Sequence, residues 1–220
     1  MLWNRYRAVI FDLDGTLIDN AGSFRLAYGR YCERYPEYLC RDNPRQRTEL
    51  IEIYHAPDRA AAFEGFCRHW GWRNPPAFPE FWQEWFMLYV HSAVCFPWTV
   101  RTLETLCGSG LLLGLITNGA GIYQNAKIQS AGLRRYFEAI LISEEAGIAK
   151  PNPSVYRICA GQLGIPPEEC LFVGDTPESD IAGAKAAGMH SLLLTGKPDT
   201  VGATYTSKTI ACLLEPAPPK

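Results

Sequence analysis

The sequence predicts an α/β protein, built as a doubly wound parallel sheet with an inserted helical domain. Two observations lead to this fold class. Five short apolar runs are distributed along the chain, and helix-like segments separate the later ones, as in parallel α/β folds. The first two runs are separated by roughly ninety residues, whereas one strand–helix–strand unit needs only about 30. That long interval must therefore hold the insertion.

The predicted strands are nearly continuous hydrophobic segments, which is typical of strands covered on both faces. They comprise residues 8–11, 111–116, 139–142, 170–173 and 191–194. Between the later strands, helical patterns end near glycines that can cap a helix C-terminus. These predicted helices are Tyr123–Ala131, Pro153–Leu163 and Ser179–Ala187.

The long interval between the first two predicted strands defines the expected domains. Residues 1–20 and 95–214 are predicted to form the core domain, and residues 21–94 a helical cap domain, because this interval mixes helical periodicity with proline and glycine breakers. Residues 215–220, with the sequence EPAPPK, are expected to be a disordered tail, since they are too rich in proline to pack.

One stretch of the insertion is rich in aromatic residues. Four of them are spaced to share one face of a helix: Trp82, Trp85, Phe86 and Tyr89. Aromatic stripes at helical spacing are more often packed than exposed. We therefore expect this face to form the core of the helical domain, with a base-stacking platform as the alternative.

Composition excludes several classes of protein. With 47% hydrophobic and 20% charged residues, the chain is an ordinary globular protein. Its 21 basic and 23 acidic residues give a net charge of −2, so no nucleic-acid partner is expected. The eight cysteines form no C-x-x-C pair, which argues against zinc. Without a visible signal peptide or membrane-length apolar run, we expect a cytoplasmic protein with no membrane partner.

Two acids follow the first predicted strand. Asp12 and Asp14 lie just past its apolar part, at the edge where open α/β sheets bind ligands. Residues two apart in an extended segment point the same way, and Gly15 then allows a sharp turn. Two carboxylates this close require a counter-cation. A hard divalent ion such as Mg²⁺ suits oxygen ligands and keeps positions open for water and a phosphate.

The other predicted strands end in groups that suit phosphate chemistry. They are Thr117, Asn118 and Gly119 after the second strand, Lys150 after the third, and Asp175 and Asp180 after the fourth. A hydroxyl and turn N–H groups can hold phosphate oxygens, and a lysine supplies a point charge. Each pattern alone can be ordinary turn chemistry. Their occurrence at one sheet edge, in strand order, favours a phosphate site.

With these motifs, the sequence resembles the haloacid dehalogenase (HAD) superfamily of phosphohydrolases. The family signature D-x-D-G-T matches residues 12–16, and the fourth motif matches residues 173–189. The second and third motifs correspond to Thr117 in LITNG and Lys150 in AKPNP. The resemblance covers the whole core domain. It implies a Rossmann-like core with a C1-type helical cap placed between the first and second motifs.

The resemblance also implies catalytic roles. Asp12 would be the nucleophile, forming an aspartyl-phosphate, and Asp14 would protonate the leaving alcohol and later deprotonate the hydrolytic water. Thr117 and Lys150 would stabilise the transferring phosphoryl oxygens, with Asn118 and Gly119 helping to bind phosphate.

The metal site implied by the resemblance uses acids from two strand ends. Mg²⁺ would be held by Asp12, by the backbone carbonyl of Asp14 and by Asp175. Asp180 would orient Lys150 or a metal-bound water rather than bind the metal directly.

Two details choose between branches of the superfamily. Dehalogenases lack the second acid of D-x-D, so Asp14 argues for phosphoryl chemistry. Sugar-phosphate mutases usually carry Glu before the fourth-motif Asp, where this chain has Gly174. The segment TNGAGIYQNAKIQSAGL is closest to members resembling pyrimidine 5′-nucleotidases and phosphoglycolate phosphatases. The chain departs from many relatives at Pro97-Trp98-Thr99, where they have P-G-V.

The resulting prediction is a Mg²⁺-dependent phosphatase acting on a small phosphorylated metabolite, such as a nucleoside monophosphate or a phosphoglycolate-like ester. We expect a monomer or homodimer, with the cap selecting the ester. The alternatives are a sugar-phosphate mutase of the same superfamily and a non-enzymatic phospho-acceptor domain that signals. Steady release of phosphate separates an enzyme from the last of these.

Overall fold

The structure, a computed structural model, describes residues 2–214; the predicted tail, 215–220, lies outside the described residues. The chain divides into two compact units. One contains the segments up to Asn20 and from Ala93 onward, and it carries the sheet; the other, Ala21–Ser92, is helical.

The sheet has six strands, and every neighbouring pair is parallel, in the order β3-β2-β1-β4-β5-β6. The strands are β1 (Ala8–Phe11), β2 (Leu112–Thr117), β3 (Ala139–Ile142), β4 (Cys170–Gly174), β5 (His190–Leu194) and β6 (Tyr205–Ser207). All five predicted strands are present, which confirms the doubly wound parallel sheet. The sixth strand was not predicted, because its three residues are partly or fully exposed and contain no apolar run.

Alternate residues of the central strand enter two separate apolar cores. Val9 and Phe11 belong to one cluster, whereas Ala8 and Ile10 belong to the other. A strand that is buried on both faces cannot show polar–apolar alternation, which explains its uniformly hydrophobic sequence. Burial of both faces also holds the end of β1 in a fixed position.

Helices cover both faces of this sheet. The first face packs against α5 (Thr99–Gly108) and α6 (Gly121–Ser130), and the second against α8 (Pro153–Leu163) and α9 (Ala182–Ala187). A short α7 (Ser143–Ala146) follows β3. The predicted helix 153–163 is present as predicted. The segment predicted as 179–187 is instead a π-helical turn, Pro177–Ile181, followed by α9.

The strand order reverses at β1, which lies between β2 and β4. Connections that leave a strand on opposite sides open a crevice at its carboxyl end, where α/β proteins bind ligands. The first residue past this end is Asp12, whose backbone N–H donates to the carbonyl of Val173, 2.9 Å away. This bond fixes Asp12 at the switch point.

The helical unit contains most of α1 (Asn20–Arg34), together with α2 (Pro44–His55), α3 (Arg59–His69) and α4 (Phe78–Val90). Asn43 and Asp58 cap the N-termini of α2 and α3, because each side chain accepts a backbone N–H in the first turn. Among the helices of residues 2–214, none combines the length and apolar character needed to cross a membrane.

The aromatic helix α4 packs inside the helical unit, but its buried face differs from the predicted one. Phe81 and Trp85 are fully buried, at 0% and 1% exposure. Trp82, Phe86 and Tyr89 are only partly buried. Phe81 packs edge-on against Tyr31, whose hydroxyl donates to the Phe81 carbonyl. The core is therefore centred on positions 81 and 85.

This difference predicts unequal effects of two adjacent substitutions. Phe81→Ala should lower the free energy of unfolding by about 3–5 kcal/mol, because it leaves a cavity among packed rings. Trp82→Ala removes a larger but partly exposed side chain and should cost less. Urea unfolding of both variants measures the difference; equal losses would contradict the assigned helix face.

Candidate active site

The loop after β1 makes a sharp turn that requires glycine. Gly15 has a φ of +80°, and its N–H donates to the carbonyl of Ile18 at 3.1 Å. A Cβ at this position would lie 2.3 Å from Oδ2 of Asp175. Both the left-handed backbone and the close approach exclude a side chain here. The turn thereby brings the Asp12–Asp14 loop against the end of β4.

A buried lysine joins acids from two strand ends. Lys150 Nζ donates to Oδ1 of Asp12 and, at 2.7 Å, to Oδ1 of Asp180. All three side chains are buried. A buried ion pair is costly unless its partners are fully hydrogen-bonded, and here one ammonium group serves two carboxylates.

Asp180 also organises the loop that follows β4. Its Oδ2 accepts the backbone N–H groups of Asp175, at 3.1 Å, and Thr176, at 3.0 Å. Gly174 lies directly against this carboxylate, since a Cβ there would be 2.4 Å from Asp180 Oδ2. The position before Asp175 therefore has no room for a side chain in this arrangement.

Burial dominates the electrostatics of Asp12. It raises the pKa of Asp12 to about 7; the charge of Lys150 opposes this shift, while Asp180 and Asp14 reinforce it. Burial also raises the pKa of Asp175. For Lys150 burial acts downward, but the attraction of Asp12 and Asp180 is greater and the net result is a raised pKa. Without a metal ion, burial therefore favours the neutral forms of Asp12 and Asp175.

Three acids form a cluster that fits a divalent cation. Oxygens of Asp12, Asp175 and Asp180 lie within 4.8 Å of one another. A donor set made only of oxygens suits a hard ion such as Mg²⁺. Both oxygens of Asp180 already accept hydrogen bonds, whereas within residues 2–214 Asp175 Oδ1 accepts only a 3.3 Å contact from the Thr176 hydroxyl. Asp12 and Asp175 are thus the better-placed ligands.

The loop after β2 is held by contacts to neighbouring loops. The Asn118 side chain donates to the Lys150 carbonyl and accepts the Lys150 N–H, both at 2.9 Å. The Gly119 N–H donates to Ser143 Oγ at 2.9 Å. In this structure the Asn118 side chain therefore positions the backbone of Lys150. Other groups of the loop would then have to make any contact with phosphate.

The second acid of the signature has partners that the sequence did not indicate. Lys127 Nζ donates to Oδ1 and Oδ2 of Asp14 at 2.8 and 2.9 Å. Gln124 Nε2 donates to Asp14 Oδ2 at 2.9 Å and to the buried Thr117 Oγ1 at 2.6 Å. Gln124 and Lys127 are three residues apart on α6, which begins just after the Thr117 loop. That spacing places them on one helix face and was the available signal.

Residues 97–99, Pro-Trp-Thr where many relatives have Pro-Gly-Val, have a structural role. Thr99 is buried, and its hydroxyl donates to the carbonyl of Leu17 at 2.9 Å, which ties the start of α5 to the signature loop. Trp98 lies nearly parallel to Phe96, with ring centroids 6.3 Å apart. Both rings line a cavity of about 170 Å³ that also reaches Asp175.

Comparison with known proteins agrees with this geometry. A family model described as haloacid dehalogenase-like hydrolase matches residues 6–188. The chain belongs to this family. The match spans β1 to the end of α9 and thus includes every predicted site residue, which confirms the resemblance seen in the motifs.

Curated relatives of the chain are named as phosphatases and nucleotidases. It is 43% identical to phosphoserine phosphatase from Thermus thermophilus over 66% of this chain and 51% of that protein. It is 30% identical to N-acylneuraminate-9-phosphatase from Mus musculus, covering 91% and 87%. Identity to pyrimidine 5′-nucleotidase from Escherichia coli is 36% over 52% of each chain. The chain thus spans about half the length of several curated relatives.

A solved structure is similar to the chain over most of its length. A HAD phosphatase from Thermococcus onnurineus is similar, with a TM-score of 0.63 and 26% identity over 94% of this chain and 97% of that one. The matched residues include those of the sheet and those of the inserted helices.

The raised pKa of Asp12 predicts a pH-dependent stability. Asp12 has a pKa of about 7 in the folded, metal-free protein and an ordinary value of 3.8 when unfolded, so between these pH values only the folded protein keeps the proton. The stability that comes from binding this proton is fully present below pH 4 and is lost as the pH rises through 7. Asp12→Asn has no such proton. Its free energy of unfolding relative to the native protein should therefore increase by at least about 1 kcal/mol between pH 5 and pH 8.

Urea unfolding in a chelating buffer at the two pH values tests this. Asp42→Asn, at an exposed position, is the matched control and should show no pH-dependent difference. A difference for Asp12→Asn that stayed constant with pH would contradict the effect assigned to burial.

Proposed function

We propose that the protein is a Mg²⁺-dependent phosphatase that hydrolyses a small phosphorylated metabolite through an aspartyl-phosphate on Asp12. The observation that carries this proposal is the buried contact of Asp12 with Lys150 at the switch point of the sheet, beside the oxygens of Asp175. A carboxylate held next to a fixed ammonium group and a cation site can approach an anionic phosphate that it would otherwise repel.

In the first step, an oxygen of Asp12 attacks phosphorus while the bond from phosphorus to the ester oxygen breaks. The electron pair of that bond stays on the departing oxygen, which takes the proton carried by Asp14, and an alcohol leaves. Lys150 contacts Asp12 directly, and the Thr117 hydroxyl is linked to Asp14 through Gln124, so we assign both groups to the phosphoryl oxygens. Asp180 keeps Lys150 in place through its 2.7 Å bond.

In the second step, Asp14, now ionised, takes a proton from water as the water oxygen attacks phosphorus. The bond from phosphorus to Asp12 breaks, inorganic phosphate leaves, and Asp12 and Asp14 return to their starting states. The two carboxyl groups thereby divide nucleophilic and acid–base work, as their different partners suggest: Lys150 for Asp12 and Lys127 for Asp14.

We assign Mg²⁺ to Asp12, Asp175 and the backbone carbonyl of Asp14. When bound there, the ion would neutralise the buried acids and polarise the phosphate. Within residues 2–214, the four carboxyl groups at this site form ion pairs with two ammonium groups, so charge balance supports a divalent cation. The acids are Asp12, Asp14, Asp175 and Asp180, and the ammonium groups belong to Lys127 and Lys150.

A phosphatase is better supported than a sugar-phosphate mutase. The position where mutases carry Glu is Gly174 here, and a side chain at this position would collide with Asp180. The relatives' names refer to several different phosphate esters. We propose the substrate class that the segment TNGAGIYQNAKIQSAGL suggests, a nucleoside monophosphate or a phosphoglycolate-like ester. The four acids of the site, Thr117 and Lys150 all lie in the sheet-bearing unit. We therefore assign substrate selection to the helical unit, Ala21–Ser92.

The nucleophile assignment predicts that Asp12→Asn lowers kcat by about 10⁴-fold or more, because an amide cannot form the phosphoenzyme. Phosphate release from p-nitrophenyl phosphate and from a panel of phosphorylated metabolites measures the loss. Circular dichroism should be unchanged, and Asp42→Asn should retain full activity. Turnover within tenfold of the native enzyme would exclude Asp12 as nucleophile.

The metal assignment predicts that excess chelator abolishes phosphate release and that Mg²⁺ restores it. Asp175→Asn should raise the Mg²⁺ concentration needed for half-maximal rate, because one oxygen ligand is weakened. Titration of the rate with Mg²⁺ for both proteins provides the measurement. Full activity in chelator, or an unchanged Mg²⁺ requirement in Asp175→Asn, would contradict the site.

A further inference from the structure

The carboxylate of Asp14 is held by three donor contacts from one helix. Lys127 Nζ reaches both oxygens, at 2.8 and 2.9 Å, and Gln124 Nε2 reaches Oδ2 at 2.9 Å. Both donor side chains are buried, at 8% exposure for Lys127 and 3% for Gln124. Burying a lysine and an amide carries a desolvation cost, so their contacts with Asp14 are specific features of this site rather than surface ion pairing.

None of the steps described above uses Lys127 or Gln124. Gln124 in addition links Asp14 to Thr117, because the same Nε2 donates to Thr117 Oγ1 at 2.6 Å. It also donates to the Asn118 carbonyl at 3.1 Å. One amide thus connects the acid–base carboxyl with the loop that is assigned to phosphate binding.

We propose that Lys127 and Gln124 are positioning residues that fix the orientation of the Asp14 carboxyl for proton transfer to the leaving group. This inference rests on the acid role of Asp14 in the proposed function. General acid catalysis needs the donor oxygen within hydrogen-bond reach of the departing oxygen, and a carboxyl that rotates freely is in that position only part of the time. Two donor groups on one helix, which make three contacts with the carboxyl, restrict this rotation.

The same donors suit the product of the first step. As the proton leaves Asp14 for the ester oxygen, a negative charge appears on a carboxylate that already faces the Lys127 ammonium group. Preorganised donors of this kind need no rearrangement when charge develops. Lys127 contacts Asp14, and Gln124 contacts Asp14 and Thr117; the proposal gives neither side chain a contact with the substrate.

The dependence of rate on the leaving group tests the proposal. An acidic phenol such as 2,4-dinitrophenol departs without a proton, whereas phenol itself needs one. The quantity kcat/KM includes only steps up to departure of the leaving group, so it isolates the acid role of Asp14 from its later role with water. Phenyl phosphate and 2,4-dinitrophenyl phosphate are therefore the paired probes.

We expect Lys127→Met to lower kcat/KM for phenyl phosphate by about 10–100-fold and for 2,4-dinitrophenyl phosphate by less than about threefold. Gln124→Met should show the same selectivity with a smaller loss, and Lys127→Arg should recover part of the activity towards phenyl phosphate. Lys185→Met is the matched control: this lysine donates to the Val201 carbonyl, and its removal should leave both rates unchanged. Thermal unfolding checks that each variant is folded.

Asp14→Asn separates this inference from the proposed function. If Asp14→Asn loses activity selectively on phenyl phosphate but Lys127→Met and Gln124→Met lose both substrates equally, the positioning role is wrong and the acid role stands. If Asp14→Asn also loses both equally, the acid role fails and the positioning role fails with it. Selective losses in all three variants support both.

Discussion

The geometry of the candidate active site depends on one buried interaction, the contact of the Lys150 ammonium group with the carboxylates of Asp12 and Asp180. It joins the ends of β1, β3 and β4, which approach one another only because the sheet is parallel and reverses its order at β1. Asp180 then anchors the loop bearing Asp175, and Asn118 holds the backbone of Lys150. Without the Lys150 ammonium group, the buried carboxylates of Asp12 and Asp180 would have no ion-pair partner between them, which would lower the stability by several kcal/mol.

Most of the fold could be predicted because its strands are buried on both faces. Such strands must be apolar throughout, and the five runs in the sequence became β1 to β5. β6 could not be found in this way, because it is an edge strand stabilised by pairing with β5 rather than by its own burial. The α4 face was predicted only in part: Trp85 is buried as expected, but Phe81 was not selected, since aromatic residues occur on several sides of that helix and only tertiary contacts identify the most buried ones.

The candidate site could be predicted as far as its strand ends. The positions of Asp12, Thr117, Lys150 and Asp175 follow from the rule that parallel strands present their carboxyl ends at one edge. The sequence could not show the contacts between loops, such as those of Asn118 with Lys150, which are 32 residues apart. For Lys127 the only signal was its spacing from Gln124 at the start of a helix, and this signal is weak because a lysine in a helix is usually a solvated charge. Only the turn at Gly15 and the start of α6 bring Lys127 to Asp14.

The central claim is that Asp12, held by Lys150, becomes covalently phosphorylated. The most direct measurement is to quench the enzyme during turnover of p-nitrophenyl phosphate, reduce it with borohydride and analyse its peptides by mass spectrometry, because borohydride converts an acyl phosphate of aspartate to homoserine. The account predicts homoserine at position 12, only with substrate present. Homoserine at Asp14, Asp175 or Asp180, or unmodified Asp12 during steady phosphate release, would contradict it.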